Sequence, residues 1–217
     1  MKQKMKKMFS VLVGMTISLP SVFAATELTV TGATAQDKVY DGLTNAVISM
    51  ANATTNGVIS GDDVQVSNLV GWFATPGVGM DIPVTAALTL TGAHKDNYSL
   101  AQPAGLTAAI TKKTLTASLV PKISKMYDGN TGAALSPTNY TFSGLVSGET
   151  CTVTKTTGLY DSKNAGTGIV VTVTLASTNF ADYGSSGFLA NNYVLPGSAT
   201  GAVGEITKKS LRLTVQQ

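Results

Sequence analysis

Apolar and polar residues alternate with a period of two along most of the chain. Leu28-Thr29-Val30-Thr31, Val64-Gln65-Val66-Ser67, Leu88-Thr89-Leu90-Thr91, Val171-Thr172-Val173-Thr174-Leu175 and Leu211-Arg212-Leu213-Thr214-Val215 all follow this pattern. That period sends successive side chains to opposite faces of a strand, and Thr and Val suit a pleated, half-buried surface. Past residue 24 no apolar stripe at i, i+3, i+4, i+7 runs for a useful length. Turn signals punctuate the alternation at short intervals, among them Asp41-Gly42, Asn56-Gly57, Pro76-Gly77, Asp128-Gly129 and Pro196-Gly197. The pattern predicts an all-β protein of antiparallel strands with one wet face. An immunoglobulin-like sandwich of about seven strands per unit is the first expectation, and an open barrel or a grasp-like sheet the second.

The pattern occurs twice. Lys38-Val39-Tyr40-Asp41-Gly42-Leu43-Thr44 matches Lys125-Met126-Tyr127-Asp128-Gly129-Asn130-Thr131 at an offset of 87 residues. At the same offset Gly57-Val58-Ile59-Ser60-Gly61 matches Gly144-Leu145-Val146-Ser147-Gly148, and Gly71, Gly79 and Val84-Thr85 match Gly158, Gly166 and Val171-Thr172. The offset then grows. Asn97-Tyr98 and Leu100 match Asn192-Tyr193 and Leu195, and Ile110-Thr111-Lys112-Lys113-Thr114-Leu115 matches Ile206-Thr207-Lys208-Lys209-Ser210-Leu211. The extra residues of the second copy fall near Thr178–Ala190, around the turn-rich Asp182-Tyr183-Gly184-Ser185-Ser186-Gly187, which reads as a lengthened hairpin or loop. A period near ninety residues is the size of a small domain, not of a solenoid coil. The expected division is residues 1–24, a first β-domain over 25–112, a second over 113–209, and a leftover strand over 210–217. No Pro/Gly-rich linker lies at the first junction, which predicts a short connection and little inter-domain freedom.

Charge changes the picture at the amino terminus. The 217 residues carry 15 Lys+Arg and 12 Asp+Glu, a formal charge of +3. Lys2, Lys4, Lys6 and Lys7 precede the apolar run Met8–Leu19, and Val22-Phe23-Ala24 ends in small residues at the −3 and −1 positions. This describes a secretory signal peptide cut after Ala24, and the run is too short to span a bilayer. The remainder has 11 basic and 12 acidic residues, a formal charge of −1. The basic excess belongs to the export segment, which leaves no electrostatic case for nucleic acid. No transmembrane segment is expected in the mature chain, and the expected place is extracellular or cell-surface, with the periplasm as the other export compartment.

The repeated motifs carry a resemblance. Lys-x-Tyr-Asp-Gly-x-Thr, the later Val/Leu-Ile/Val-Ser-Gly-Asp/Glu, Asn-Tyr-x-Leu and Ile-Thr-Lys-Lys-x-Leu together resemble the YDG domain. That module recurs in tandem in large secreted bacterial proteins, including filamentous-haemagglutinin-like exoproteins and adhesins. Tyr160-Asp161-Ser162-Lys163-Asn164-Ala165-Gly166-Thr167-Gly168 is similar to a further family stretch. Copy one departs there, with Trp72-Phe73-Ala74-Thr75-Pro76-Gly77-Val78-Gly79, and Lys112 and Lys208 stand where the family usually has Pro. The resemblance implies export, a β-sandwich-like module, and a stalk, spacer or adhesion role.

Candidate chemistry is sparse. Tyr40-Asp41-Gly42 and Tyr127-Asp128-Gly129 pair a phenol with a carboxylate. Asp-Gly is also a preferred tight-turn dipeptide, and a scaffold element is expected in every copy, so these six residues are read as a structural repeat motif. Asp62-Asp63 with Asp81 or Asp96 lacks the spacing of a calcium loop. His94 and Cys151 lie in different copies, and Cys151 sits in a strand-like alternation that suits a small buried residue. No nucleophile elbow, phosphate loop or zinc motif is present. No catalytic residue, metal or cofactor is therefore assigned, and the chain is read as non-catalytic. Trp72-Phe73 offers an aromatic platform that makes Trp72 the candidate contact for a glycan or protein ligand on a surface or matrix. Leu159-Tyr160 at the matching place in copy two favours core packing instead. Leu211–Val215 is the segment expected to pair with another strand edge.

Overall fold

A computed structural model describes residues 24–213. Residues 1–23 of the expected export segment, and Thr214 onward of the expected terminal strand, lie outside the described residues. The described residues form strands joined by turns, irregular loops and four single turns of 3-10 helix. The period-two pattern sets the burial directly. Leu28 and Val30 are buried in Thr26–Thr31 while their Thr neighbours face out, and Val171 and Val173 are wholly buried in Gly166–Thr174. Each such aliphatic side chain contributes about 1.5–3 kcal/mol by leaving water.

Copy one forms a six-stranded sheet in the order Thr34–Ala35, Asn45–Ser49, Val70–Phe73, Gly79–Ala86, Leu106–Thr111, Lys38–Val39. A three-stranded sheet, Tyr98–Ala101, Thr26–Thr31, Thr54–Asn56, and a ribbon of Gln65–Ser67 with Thr89–Thr91 complete it. Copy two repeats the plan in a seven-stranded sheet, with Gly132–Ala134, Thr157–Tyr160, Gly166–Thr174, Ser198–Thr207, Thr116–Leu119 and Tyr140–Ser143 in order and Ile123–Met126 also paired to Ser198–Thr207. Its last strand is longer than that of copy one, 10 residues against 6, and it reaches Thr116–Leu119 through Ser118 opposite Thr200. The extra length joins what remain separate sheets in copy one.

Not every pair is antiparallel, which corrects the expectation of antiparallel domains. Thr26–Thr31 runs parallel to Tyr98–Ala101, and Lys38–Val39 parallel to Leu106–Thr111. In copy two Lys113–Thr114 runs parallel to Tyr193–Val194, and Ile123–Met126 parallel to Ser198–Thr207. Alternation within a strand reports which face is buried and is blind to the direction of the neighbour. Parallel pairing needs a long connection. Here most of each unit supplies it, because early strands close against late ones.

The extra residues of copy two form a loop after Phe180–Asp182, folded back by Ser186 Oγ on Asp182 Oδ1 at 2.7 Å. One residue, Lys112, separates the last strand of copy one from Lys113–Thr114. A single apolar cluster runs from Tyr40, Phe73 and Ile110 in copy one into Leu115, Tyr193 and Ile206 in copy two. Ser210–Leu213 belongs to no sheet, and Leu211 and Leu213 are almost wholly exposed. The expected terminal strand therefore pairs with nothing in this chain over its described part.

Candidate functional site

The two Lys-x-Tyr-Asp-Gly segments fold into the same closed turn. Lys38 Nζ donates to Asp41 Oδ1 at 2.7 Å, to the Leu43 carbonyl at 2.7 Å and to Asn45 Oδ1 at 3.1 Å. Asp41 Oδ1 also accepts the Leu43 N–H at 2.9 Å, and the ammonium lies 5.5 Å from the Phe73 ring centre. In copy two Lys125 Nζ reaches Asp128 Oδ1 at 2.9 Å and the Asn130 carbonyl at 2.7 Å, over Tyr160 at 5.4 Å. Gly42 and Gly129 take φ of +78° and +79°, a region open to glycine at little cost. Burial pushes Asp41 up, but the Lys38 ammonium and the Leu43 N–H outweigh it and hold the carboxyl below its ordinary value. Lys125 does the same for Asp128. Both carboxylates are thus occupied as acceptors inside their own turns.

The tyrosines of these turns differ. Tyr40 is 5% exposed and Tyr127 39%. Tyr40 points across the junction and donates its hydroxyl to Oε1 of Glu149 in copy two. Tyr193 donates to Glu149 Oε2 at 2.6 Å and accepts the Val146 N–H at 3.0 Å. The two rings meet edge to face, 5.6 Å between centres, and Phe188 stacks on Tyr193 at 5.3 Å. Burial first, and then the Glu149 carboxylate, push the Tyr40 phenol up to about 12 and raise Tyr193 in the same direction. A second link crosses the junction where the Val78 N–H donates to Oδ1 of the buried Asn192 at 3.1 Å. Asp41, Gly42, Leu43, Lys113, Leu145, Val146 and Ser147 line a groove of about 300 Å³ beside these contacts. One carboxylate thus clamps a phenol from each copy.

Glu149, Asn192 and Tyr193 were not among the residues expected at a site. Each lies inside a repeated motif, the Ser-Gly-Asp/Glu turn or Asn-Tyr-x-Leu, but nothing in either motif says that the two meet Tyr40.

The other candidates are dispersed. Phe73 is 3% exposed and Trp72 51%, so the pair is split between faces, as are Tyr160 and Leu159 in copy two. The core-packing expectation holds for Phe73 alone. Trp72 stands on the outer face of the sheet beside exposed Val70, whose cross-strand partner is exposed Val47. Asp62 accepts the Tyr98 hydroxyl at 2.6 Å, and Asp63 staples the opposite loop through the Ala93 N–H. Among the described residues no cluster of three or more His, Cys, Asp or Glu is arranged to hold a metal. Cys151 is a buried free thiol, pushed up to about 11 by burial and then by Glu149. Its counterpart in copy one is the buried Val64. Among the described residues no helix is long and apolar enough to cross a membrane.

The YDG domain matches the chain over residues 24–105 and again over 111–201. The chain belongs to the YDG domain family. The Lys-Asp turn and the Tyr-acid pair recur in both YDG units, at Tyr98 with Asp62 and at Tyr193 with Glu149, so they are elements of the module. No curated protein and no solved structure matches the chain. The last strand of the first YDG unit, Leu106–Thr111, completes its six-stranded sheet although the matched segment stops at residue 105.

Proposed function

We propose that this protein is a non-catalytic structural and adhesion protein, exported to the cell surface or beyond. Its two YDG units, each an immunoglobulin-like sandwich, act as stiff stalk modules like those of the bacterial haemagglutinin-like exoproteins and adhesins that the sequence resembles. The observation that carries the reading is the junction. A one-residue connection, a continuous apolar cluster and a carboxylate shared by Tyr40 and Tyr193 all oppose bending between the units. A spacer needs that stiffness, whereas a hinged receptor needs motion between its domains. The export signal expected over residues 1–24 and the low charge of the mature chain fit a surface location. The test is small-angle scattering on the mature chain, with binding measured on whole cells or matrix. One fixed inter-unit distance, lost in Glu149→Ala, is the expected result. A broad distance distribution in the unaltered chain overturns the spacer role.

A second reading has its own observation. The exposed strip Val47, Val70 and Trp72 is an apolar patch on an otherwise Thr-rich face, the kind of feature that marks a contact surface. Under this reading the first YDG unit is a carbohydrate- or matrix-binding module. Affinity on a glycan or matrix array that falls about tenfold in Trp72→Ala, with the circular dichroism unchanged, supports it. Equal affinity in the variant removes it.

A further inference from the structure

The junction has two sides, and among the described residues each side has an unfilled counterpart in the other copy. The acceptor side of copy two is built from Val146, Glu149, Asn192 and Tyr193. The same geometry exists in copy one. Tyr98 donates to Asp62 Oδ2 at 2.6 Å and accepts the Ile59 N–H at 3.1 Å, as Tyr193 does with Glu149 and Val146. What differs is cover. Asn192 is buried but its counterpart Asn97 is exposed, and Val146 is partly covered where Ile59 is 55% exposed beside exposed Val58. Asp62 Oδ1 stands 3.8 Å from His94 Nδ1, but that nitrogen accepts the Asp63 N–H and so holds no proton to give. This oxygen is the counterpart of Glu149 Oε1, which takes the Tyr40 phenol.

The donor side of copy one is Tyr40, Gly42 and Val78. Its counterparts in copy two are Tyr127, Gly129 and Ala165. Among the described residues the Tyr127 hydroxyl has no hydrogen-bond partner, and Ala165 is exposed. A Cβ on Gly42 would lie 3.0 Å from Val146 Cγ1, whereas one on Gly129 would meet open space. The two ends therefore present the separate halves of one interface that the molecule already makes internally.

We propose that this chain associates head to tail with a second copy of itself, the Tyr127 end of one molecule docking on the Ile59–Asp62–Asn97 end of the next. Such a contact is heterologous, so it propagates as a filament unless the rotation closes a ring. Thr207 of one molecule then stands where Thr111 stands inside the chain, next to Thr26 of its neighbour. The segment Lys208–Leu213 that follows is exposed and held in no sheet. Inside the chain the short connection supplies an effective concentration of order millimolar, which the intermolecular contact lacks. The association is accordingly weak and calls for a covalent trap. The inference rests on the repeat geometry alone and stands whether or not the protein is adhesive.

The experiment uses Asn97→Cys and Ala165→Cys in the full chain, whose own Cys151 is buried. These positions correspond to Asn192 and Val78, which are hydrogen-bonded across the internal junction. Under mild oxidation the double variant is expected to give a ladder of disulfide-linked oligomers. A mixture of the two single variants is expected to give the mixed dimer in excess over either self-linked dimer. Ile59→Asp, at an exposed position that tolerates a charge when monomeric, is expected to cut the ladder about tenfold or more. A double variant that stays monomeric up to its solubility limit overturns the proposal. So do single variants that cross-link mainly to themselves, or a ladder that Ile59→Asp leaves unchanged.

Discussion

The hydroxyl of Tyr40 donates to a carboxylate oxygen of Glu149, 109 residues away and in the other YDG unit. The second oxygen of the same carboxylate takes Tyr193 from its own unit. Removing either donor leaves the acceptor with the other. Removing Glu149 strands two largely buried phenols. Tyr40→Phe is expected to cost about 1–2 kcal/mol and Glu149→Ala about 2–4 kcal/mol, since hydrogen bonds to charged groups exceed neutral ones. Chemical denaturation measures both. The inter-unit order seen by NMR relaxation is expected to fall in the same sequence.

The raised phenols make the junction sensitive to alkali. The folded Tyr40 value of about 12 lies above the ordinary 10, so the native state holds its proton when the unfolded chain has lost it. Stability is then fully present below pH 10, falls as pH rises beyond it, and stops falling once the folded value near 12 is passed. Tyr193 shifts in the same direction and adds to the slope. Denaturation followed across this range is expected to show a shallower fall in Tyr40→Phe. An unchanged slope in that variant assigns the effect elsewhere.

Gly42 and Gly129 give a matched pair. Their φ angles are nearly identical, so alanine pays the same left-handed penalty of about 1–2 kcal/mol at each. Only at Gly42 does the new methyl press on Val146. Gly42→Ala is expected to destabilise more than Gly129→Ala by about 1 kcal/mol, and to loosen the junction as Gly129→Ala does not. Equal melting temperatures in the two variants contradict this.

Cys151 is expected to be inert. Burial and Glu149 push its thiol up to about 11, so almost none is thiolate at neutral pH. Alkylation at pH 7 is expected only as fast as the unit unfolds. Because Val64 fills the equivalent place, Cys151→Val is expected to change stability by about 1 kcal/mol or less. Fast labelling of the native chain disproves the first expectation.

The Lys-Asp turns predict acid sensitivity. Asp41 and Asp128 sit below their ordinary values when folded, so their contribution is present above the usual carboxylate range and is lost as pH falls through the folded values. Lys38→Met removes three hydrogen bonds from a mostly covered ammonium and is expected to cost about 1–3 kcal/mol at pH 7. At pH 2, measured in the same denaturant series, the difference from the unaltered chain is expected to shrink.

The sequence by itself determined the all-β content, the two copies and the burial phase of the strands with clear aliphatic–polar alternation. Those follow from local rules: period-two alternation, Asp-Gly turns and self-similarity at a constant offset. It also placed the extra residues of copy two around Asp182–Gly187, where turn-forming residues crowd, as a lengthened hairpin or a loop, and the structure makes them a loop. Only the tertiary structure decided that Thr26–Thr31 and Tyr98–Ala101 run parallel, since alternation carries no information about a neighbour's direction. Only it decided that Trp72 faces out and Phe73 in, because either phase of an aromatic pair satisfies the pattern until the sheet's inner face is known. Tyr40 and Tyr127 read as the same residue in the same motif. One is buried on Glu149 and the other stands open, because a junction joins surfaces far apart in sequence, and no local pattern records which surfaces will meet.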